Sequence, residues 1–398
     1  MYQCRFYCRI GHRRNVESGL IFAAIEYVYK SSTSILSKLI SIGTAVPAYK
    51  HLQSDILPFM QRIYALENHA SRKLRFLYQQ SGIEARYSVI PDYSRSIGEW
   101  EFYPPTENLE PFPSLEWRMK WYRRFAAPLS LEAIHRCLEG QLEPASITHL
   151  ITVSCTGMSA PGLDLELVEA LGLPPVVFRT SVNFMGCYAA VHALKLADAL
   201  AKSSREARIL IVCTELCTLH FQQEPTVDNM LSSLLFADGS AAALVVSDDH
   251  PGKGLKLRDF YSEIVPEGKG AMTWDMSSSG FRMTLTGYVT DLIRADFEGL
   301  VGNALKKSRL GRDEISHWCV HPGGKKILDA IDKSLAFTNG RLDDSRHILR
   351  EYGNMSSPTI LFVLQRIMDQ LDYSRSNCIF GAAFGPGLTM ETFIVETN

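Results

Sequence analysis

The stretch VVFRTSVNFMGCYAAVHALKLADALA, residues 176–201, decides how the rest of the chain is read. Val176 to Arg179 has the β-branched and aromatic character of a strand. Asn183 to Gly186 reads as a tight turn, and Tyr188 to Ala201 repeats its apolar residues at helical spacing. A strand passing through a glycine turn into a buried helix is a unit of an α/β sheet, and it puts Cys187 at the helix N-terminus. Unpaired N–H groups and the helix dipole favour an anion there. Gly186 has no Cβ beside the thiol, so a substrate can approach. A free thiol of pKa ~8.5 is only about 3% ionised at pH 7, so an activated one needs lowering by about two units, ~2.7 kcal/mol. The helix end supplies part of that and a histidine cation the rest. A buried cysteine is also a common small hydrophobe, so nucleophile and packing residue both stay open on this stretch alone.

Working outward, apolar β-type runs recur at Leu36–Ile42, His149–Val153, Arg208–Cys213, Ala241–Val246, His317–Val320 and Cys378–Phe380, with helical stretches such as Ser357–Met368 between them. Continuous apolar runs predict strands buried on both faces, hence sheets covered by helices. Asp92–Pro113, rich in Pro, Glu and aromatic residues, predicts a long surface connection. A composition shift at Ser247–Gly254 divides the body into residues 33–248 and 249–398, halves of roughly 210 and 150 residues.

The 398 residues are 46% hydrophobic and 21% charged, which excludes a disordered, collagen-like or coiled-coil chain. A net charge of −2 gives no bulk attraction for nucleic acid. Nine cysteines without a CxxC pair or a zinc-ligand cluster predict reduced thiols in a cytoplasmic protein and no metal site. No apolar run reaches the ~18 residues a membrane span needs. Residues 1–32 differ from the rest. Arg5, Arg9, Arg13 and Arg14 precede an apolar stretch from Leu20 to Tyr29, the order of a signal peptide, but Glu26 interrupts it and no small-residue cleavage site follows. They read as an N-terminal extension without a function of its own.

Two further polar residues sit where chemistry would want them. His321 ends the apolar run His317–Val320, and Pro322, Gly323 and Gly324 then open a helix near Lys325. The C-terminal edge of a strand in an α/β sheet is where ligands collect, and the paired glycines leave backbone accessible to a long substrate. Asn354 follows Gly353 and precedes Ser356, Ser357 and Pro358, which read as the cap and first turn of the next helix, so its amide faces a cavity. An ordinary turn asparagine and a structural histidine are the competing readings.

At these residues the sequence resembles the type III polyketide synthases of the chalcone and stilbene synthase superfamily. Asn183–Ala189 is similar to that family's nucleophile motif, Val320–Gly324 to its histidine motif, Leu349–Ser357 to its asparagine motif and Phe384–Thr392 to its near-C-terminal signature. Four motifs in order make a specific signal. The resemblance implies a thiolase-like α/β fold, layered α-β-α-β-α and built from two related halves. It makes Cys187 the acyl-accepting nucleophile and His321 with Asn354 the pair that binds the thioester carbonyl. Phe236 and Met283 match two gate positions. Cys155, Cys217, His220, Trp274 and Ser356 match positions that tune the cavity, and Trp274 narrows one side of it. Lys73, with Arg75, Gly323 and Gly324, is implied to bind CoA, although Phe76 and Gln80 stand at other phosphate-binding positions and Lys325 and Lys326 are possible substitutes. Thr273–Met276 and Glu215–Gln222 look like bacterial members, and Ala160 replaces a methionine that in plant enzymes enters the partner's cavity.

The implied reaction is iterative decarboxylative condensation of malonyl-CoA onto an acyl-CoA starter held on Cys187, then cyclisation to a pyrone or phenolic product. It needs no cofactor beyond the CoA thioesters, and it implies a homodimer. The alternatives are a β-ketoacyl-acyl-carrier-protein synthase of the initiating type and a catalytically silent family member acting as a partner protein.

Overall fold

The apolar runs form strands buried on both faces. The computed structural model describes residues 36–338 and 340–397; the extension assigned to residues 1–32 lies outside them. Its strands are β1 (Ser37–Ala45), β2 (Tyr49–Leu52), β3 (Ala85–Ser88), β4 (His149–Ser154), β5 (Phe178–Asn183), β6 (Arg208–Leu216), β7 (Asp238–Ser247), β8 (Leu255–Ile264), β9 (Met272–Ser277), β10 (Gly280–Leu285), β11 (His317–Val320), β12 (Cys378–Gly385) and β13 (Thr389–Glu396). Its helices are α1 (Gln53–Ile63), α2 (Asn68–Gln80), α3 (Leu115–Leu138), α4 (Leu163–Leu171), α5 (Ala189–Ser203), α6 (Val227–Leu235), α7 (Tyr288–Ser308), α8 (Lys325–Ser334), α9 (Asp343–Tyr352) and α10 (Thr359–Gln370).

Nine strands make one mixed sheet in the order β11-β12-β13-β8-β1-β7-β6-β4-β5, and β2–β3 and β9–β10 form separate antiparallel pairs. β1 pairs with β7 along nearly its whole length but with β8 only from Ser37 to Leu39. The large sheet is therefore two lobes joined at a short seam. β7 and β8, on either side of Ser247–Gly254, both pair with β1, so the sheet runs unbroken across that junction.

Apolar packing divides into layers on the two lobes. One cluster packs α1 and α3 against the first lobe, through residues such as Ile56, Ala133 and Leu244. A second holds α7 and α8 against the other lobe, through Phe297, Leu328 and Phe380. Between them lies a cluster of α5 and α10 that touches strands of both lobes. Ala189, Ala190, Ala193, Ala197 and Ala201 on α5 are wholly buried, and their small side chains let the helix sit between two sheets. α10 is apolar around its circumference from Ile360 to Leu364, as a helix covered on every side must be. The result is a five-layered α-β-α-β-α fold.

Two expectations are corrected. β5 starts at Phe178 and includes Asn183, because parallel pairing with β4, from His149↔Phe178 to Ser154↔Asn183, sets its ends. Asp92–Pro113 is a long connection as expected, but only part of it lies on the surface. Tyr93, Trp100, Phe102, Tyr103 and Leu109 pack into the first cluster, and the Asp92 carboxylate accepts the backbone N–H groups of Glu101, Phe102 and Tyr103 at 2.8–3.0 Å. The hairpin β9–β10 turns on Ser278-Ser279, which lacks the glycine or asparagine that marks most tight hairpins.

Candidate active site

The loops leaving three strands and one helix bring the four sequence motifs to a single cavity. Cys187 follows β5 and stands two residues before α5; His321 follows β11; Asn354 lies between α9 and α10; Phe384 and Pro386 end β12. Cys187, His321 and Asn354 are 8%, 1% and 2% exposed, and all three line this cavity of about 40 Å³. Gly186 is required at φ +83, where a Cβ would collide with Pro386. The near-C-terminal signature thus packs against the nucleophile turn, and the missing Cβ serves that close approach. The Gly186 N–H donates to Cys155 Sγ at 3.1 Å.

Asn354 is fixed on both sides of its backbone. Its N–H donates to the Leu235 carbonyl (3.0 Å) and its carbonyl accepts from the Ala237 N–H (2.9 Å), an isolated bridge to the segment that carries Phe236. Its side-chain Oδ1 accepts the Ser356 N–H at 2.8 Å, which leaves the Nδ2 hydrogens for the cavity. The serines expected to cap α10 do other work. Ser356 takes φ +61, and Ser357 donates to Glu215 at 2.8 Å, which ties the asparagine loop to β6.

The electrostatics follow from burial. Desolvation pushes the Cys187 thiol up to about 11, although hydrogen bonding from Ser356 and Asn354 offsets part of this. It pushes the His321 imidazole down to about 3. Both ring nitrogens of His321 are buried without a protein partner, so the ring is available to a bound group. Burial alone therefore opposes both charges of the thiolate–imidazolium pair expected from the sequence. Charge separation has to come from the attraction of the two groups for each other. Glu215, fully buried beneath the site, accepts from the Cys155 N–H (2.9 Å), Thr156 Oγ1 (2.8 Å) and Ser357 Oγ. Burial outweighs these donors and raises it to about 7.

The other predicted residues divide by place. Phe236, Met283, Cys155, Cys217, Trp274 and Ser356 line the cavity with Gly323. Trp274 Nε1 donates to the Cys155 carbonyl at 2.7 Å, so the indole is held as a wall. His220 is not on this cavity. It lines an adjoining polar chamber, stacked on Phe281 at 4.2 Å, with Nε2 donating to the Thr156 carbonyl (2.7 Å) and Nδ1 accepting the Phe281 N–H (3.1 Å). Phe236, Met283, Cys217 and Trp274 form the wall shared by the two spaces.

A groove of about 220 Å³ opens outward from the cavity across Leu235, Leu285, Gly323 and Ile327. Gly324, Lys325 and Lys326 line it, and Lys325 is tied to Asp329 at 2.7 Å. Lys73 and Arg75 are exposed on α2 and do not line it. Lys73 is on the helical face of Phe76, Leu77 and Gln80, which do. Glu215 and Thr156 escaped the sequence reading, because a buried glutamate inside an apolar strand carries no local signature. Pro386 and Phe384 lay inside a quoted motif that gave them no role.

Two models of the chalcone and stilbene synthase family match the chain, that of the N-terminal domain over residues 28–249 and that of the C-terminal domain over residues 256–397. A Dictyostelium discoideum protein described as probable polyketide synthase 1 is 30% identical over 373 residues; the match takes in 91% of this chain and 11% of that protein's length. The crystal structure of PKS-I from the brown alga Ectocarpus siliculosus superposes with a TM-score of 0.86 at 27% identity, over 92% of this chain and all of that one. The C-terminal type III polyketide synthase domain of Steely1, a type I/III hybrid from Dictyostelium, gives a TM-score of 0.83 at 27% identity, over 91% and 99%. With both halves matched and the whole fold shared, the chain belongs to the chalcone and stilbene synthase family of type III polyketide synthases.

Proposed function

We propose that this chain condenses malonyl-CoA iteratively onto an acyl-CoA starter, with Cys187 as the acyl carrier and His321 and Asn354 as the donors that stabilise the enolate. The observation that carries the reading is the convergence of a thiol, an imidazole and an amide on one buried cavity with a groove leading out. Sγ of Cys187, its proton passed to His321, attacks the starter thioester carbonyl. A new C–S bond forms, and the CoA thiolate leaves with the proton held on His321. Malonyl-CoA then lies with its thioester oxygen between the imidazole N–H and the Asn354 Nδ2–H. The bond to the carboxylate breaks, CO₂ departs, and the electron pair stays on the enolate where those donors face it. The enolate carbon attacks the Cys187 thioester, the C–S bond breaks, and the extended chain sits on CoA until it is passed back to Cys187.

The cavity around Cys187 holds only a few water-sized spaces, so the reacting ends occupy it while the rest of each thioester occupies the groove. Of the predicted CoA contacts, Gly323 and Gly324 are the better supported, with Lys326 beside them on the groove; Lys73 stands on the α2 face whose Phe76, Leu77 and Gln80 line it. No cofactor beyond the CoA thioesters is proposed. A homodimer is supported by the exposed edge strand β5: Phe178 on it and Val176 just before it are 70% and 83% exposed. The described cysteines are all free, which supports a reducing compartment such as the cytoplasm, and among the described residues no helix is long and apolar enough to cross a membrane. The test is incubation with malonyl-CoA and acyl-CoA starters from acetyl through long aliphatic to aromatic, read by mass spectrometry. Pyrones or phenolic rings that vanish in Cys187→Ala establish the reaction and name the starter class; a folded protein that makes neither refutes it.

A further inference from the structure

Behind the cavity, β3 carries Arg86, a guanidinium that is 4% exposed. Burying such a group is costly, and although the buried Asp238 carboxylate lies near enough to favour its charge, the two hydrogen bonds described for Arg86 go elsewhere. Nε donates to Gln53 Oε1 at 3.0 Å and Nη1 to the backbone carbonyl of Phe236. Gln53, the first residue of α1 and itself 5% exposed, passes the contact on, its Nε2 donating to the Leu234 carbonyl at 2.7 Å. The two side chains therefore grip alternate carbonyls of one short segment, Leu234 and Phe236.

The residue between them, Leu235, gives its carbonyl to the Asn354 N–H, and Ala237 takes the Asn354 carbonyl. The aliphatic part of Arg86 also lies against Gly353. A Cβ there would come within 2.9 Å of Arg86 Cγ and 3.0 Å of Cδ, and 3.1 Å of the Leu235 carbonyl. Gly353 adopts φ +70 immediately before Asn354. One buried side chain thus touches the backbone on both sides of the site, the gate residue Phe236 and the residue preceding Asn354.

We propose that Arg86, with Gln53, is a positioning residue for the decarboxylation step: it sets where the Asn354 amide stands and how far Phe236 closes the wall between the cavity and the polar chamber behind it. Arg86 lines that chamber too, so its grip on Phe236 couples the shape of both spaces. The inference rests on the reading of Asn354 as an enolate-stabilising donor. A planar fork suits the task, because a guanidinium reaches two acceptors in fixed directions, whereas a lysine ammonium is a point charge on a flexible stem. Neither residue touches Cys187, whose thiol takes a larger stabilisation from Ser356 than from Asn354, so acyl loading should respond much less than decarboxylation.

The test measures two steps separately, in the full chain and in Arg86→Lys and Gln53→Met. One is decarboxylation of malonyl-CoA, followed as acetyl-CoA; the other is alkylation of Cys187 by iodoacetamide, followed by mass spectrometry. Arg86→Lys, which keeps the charge but loses the fork, should lower kcat for decarboxylation by about 10²-fold, the usual effect of displacing a reacting group by about 1 Å, with KM changed far less. Gln53→Met should give a smaller fall in the same direction without removing any charge. The double variant should be no worse than the sum of the two and closer to Arg86→Lys alone. Alkylation of Cys187 should change by less than about tenfold in all three, far less than decarboxylation, because Ser356 still faces the thiol. Full decarboxylation in Arg86→Lys overturns the positioning role, since charge alone would then suffice. Parallel loss of alkylation and decarboxylation also overturns it, in favour of a purely structural residue. A wild-type chain that forms pyrones while both variants match it refutes this inference alone; a wild-type chain that decarboxylates no malonyl-CoA refutes it together with the proposed function.

Discussion

Replacing His321 by glutamine should make Cys187 a much poorer nucleophile at neutral pH, and the size of the effect follows from the site. Burial, partly offset at the thiol by Ser356 and Asn354, sets Cys187 at about 11, and burial sets the imidazole at about 3, so both groups rest neutral at pH 7. If the proton passes from Sγ to the ring, two opposite charges share one buried cavity. Were the two groups to close to about 4 Å, at an effective dielectric constant of about 20 their attraction would be ~4 kcal/mol, or about three pKa units. The two values lie about eight pKa units apart, so this attraction supplies about three of the units an ion pair needs, and the helix N-terminus with bound substrate has to supply the rest. Glutamine keeps much of the volume and an N–H donor but cannot take the proton. The iodoacetamide alkylation rate of Cys187, measured by mass spectrometry across the pH range, should therefore inflect about three pH units higher in His321→Gln. Below both inflections the variant should react ~10³-fold more slowly. The pair titrates as a unit, so the comparison concerns its apparent midpoint. Coincident profiles for the two proteins would refute the reasoning and leave the helix N-terminus as the sole source of activation.

Trp274→Gly removes an indole held edge-on to His220 (5.6 Å) and Phe281 (5.8 Å). It should widen the starter range and lengthen products at a stability cost up to about 3 kcal/mol; an unchanged product profile would mean the indole is no cavity wall. Glu215 takes up its proton at about 7 in the folded chain against an ordinary value of 4.5, so folding binds an extra proton between those values. Its contribution to stability is full below 4.5 and lost as the pH rises to 7, a decline of ~3 kcal/mol that Glu215→Gln should lack. Parallel urea midpoints for the two proteins across that window would count against it. Phe178→Asp, on the exposed edge strand, should give monomers in sedimentation; an unchanged mass would move the dimer contact elsewhere.

Much of the fold was legible because strands buried on both faces leave continuous apolar runs, as at Arg208–Cys213 and Ala241–Val246, and because a helix between two sheets must be alanine-rich or apolar all round, as α5 and α10 are. The three reactive residues were legible for a related reason. Each sits at the end of a strand or the start of a helix, and glycine, proline or serine neighbours mark such junctions locally. β8 and the β9–β10 hairpin were not, since half-exposed strands mix polar residues and their turns carry no signature.

What the sequence by itself determined is the identity of the reactive groups and the order of the elements that carry them. Only the tertiary structure decided their surroundings, because desolvation, hydrogen bonding and close approach depend on residues far apart in the chain. Glu215 became a tie between the Cys155 wall and the asparagine loop through contacts 60 and 142 residues away. His220 was turned from the cavity by its stacking on Phe281. Arg86 reached the gate at Phe236 across 150 residues. Burial pushed thiol and imidazole both toward neutrality, a property of the closed cavity that the residues around Cys187 and His321 do not encode locally.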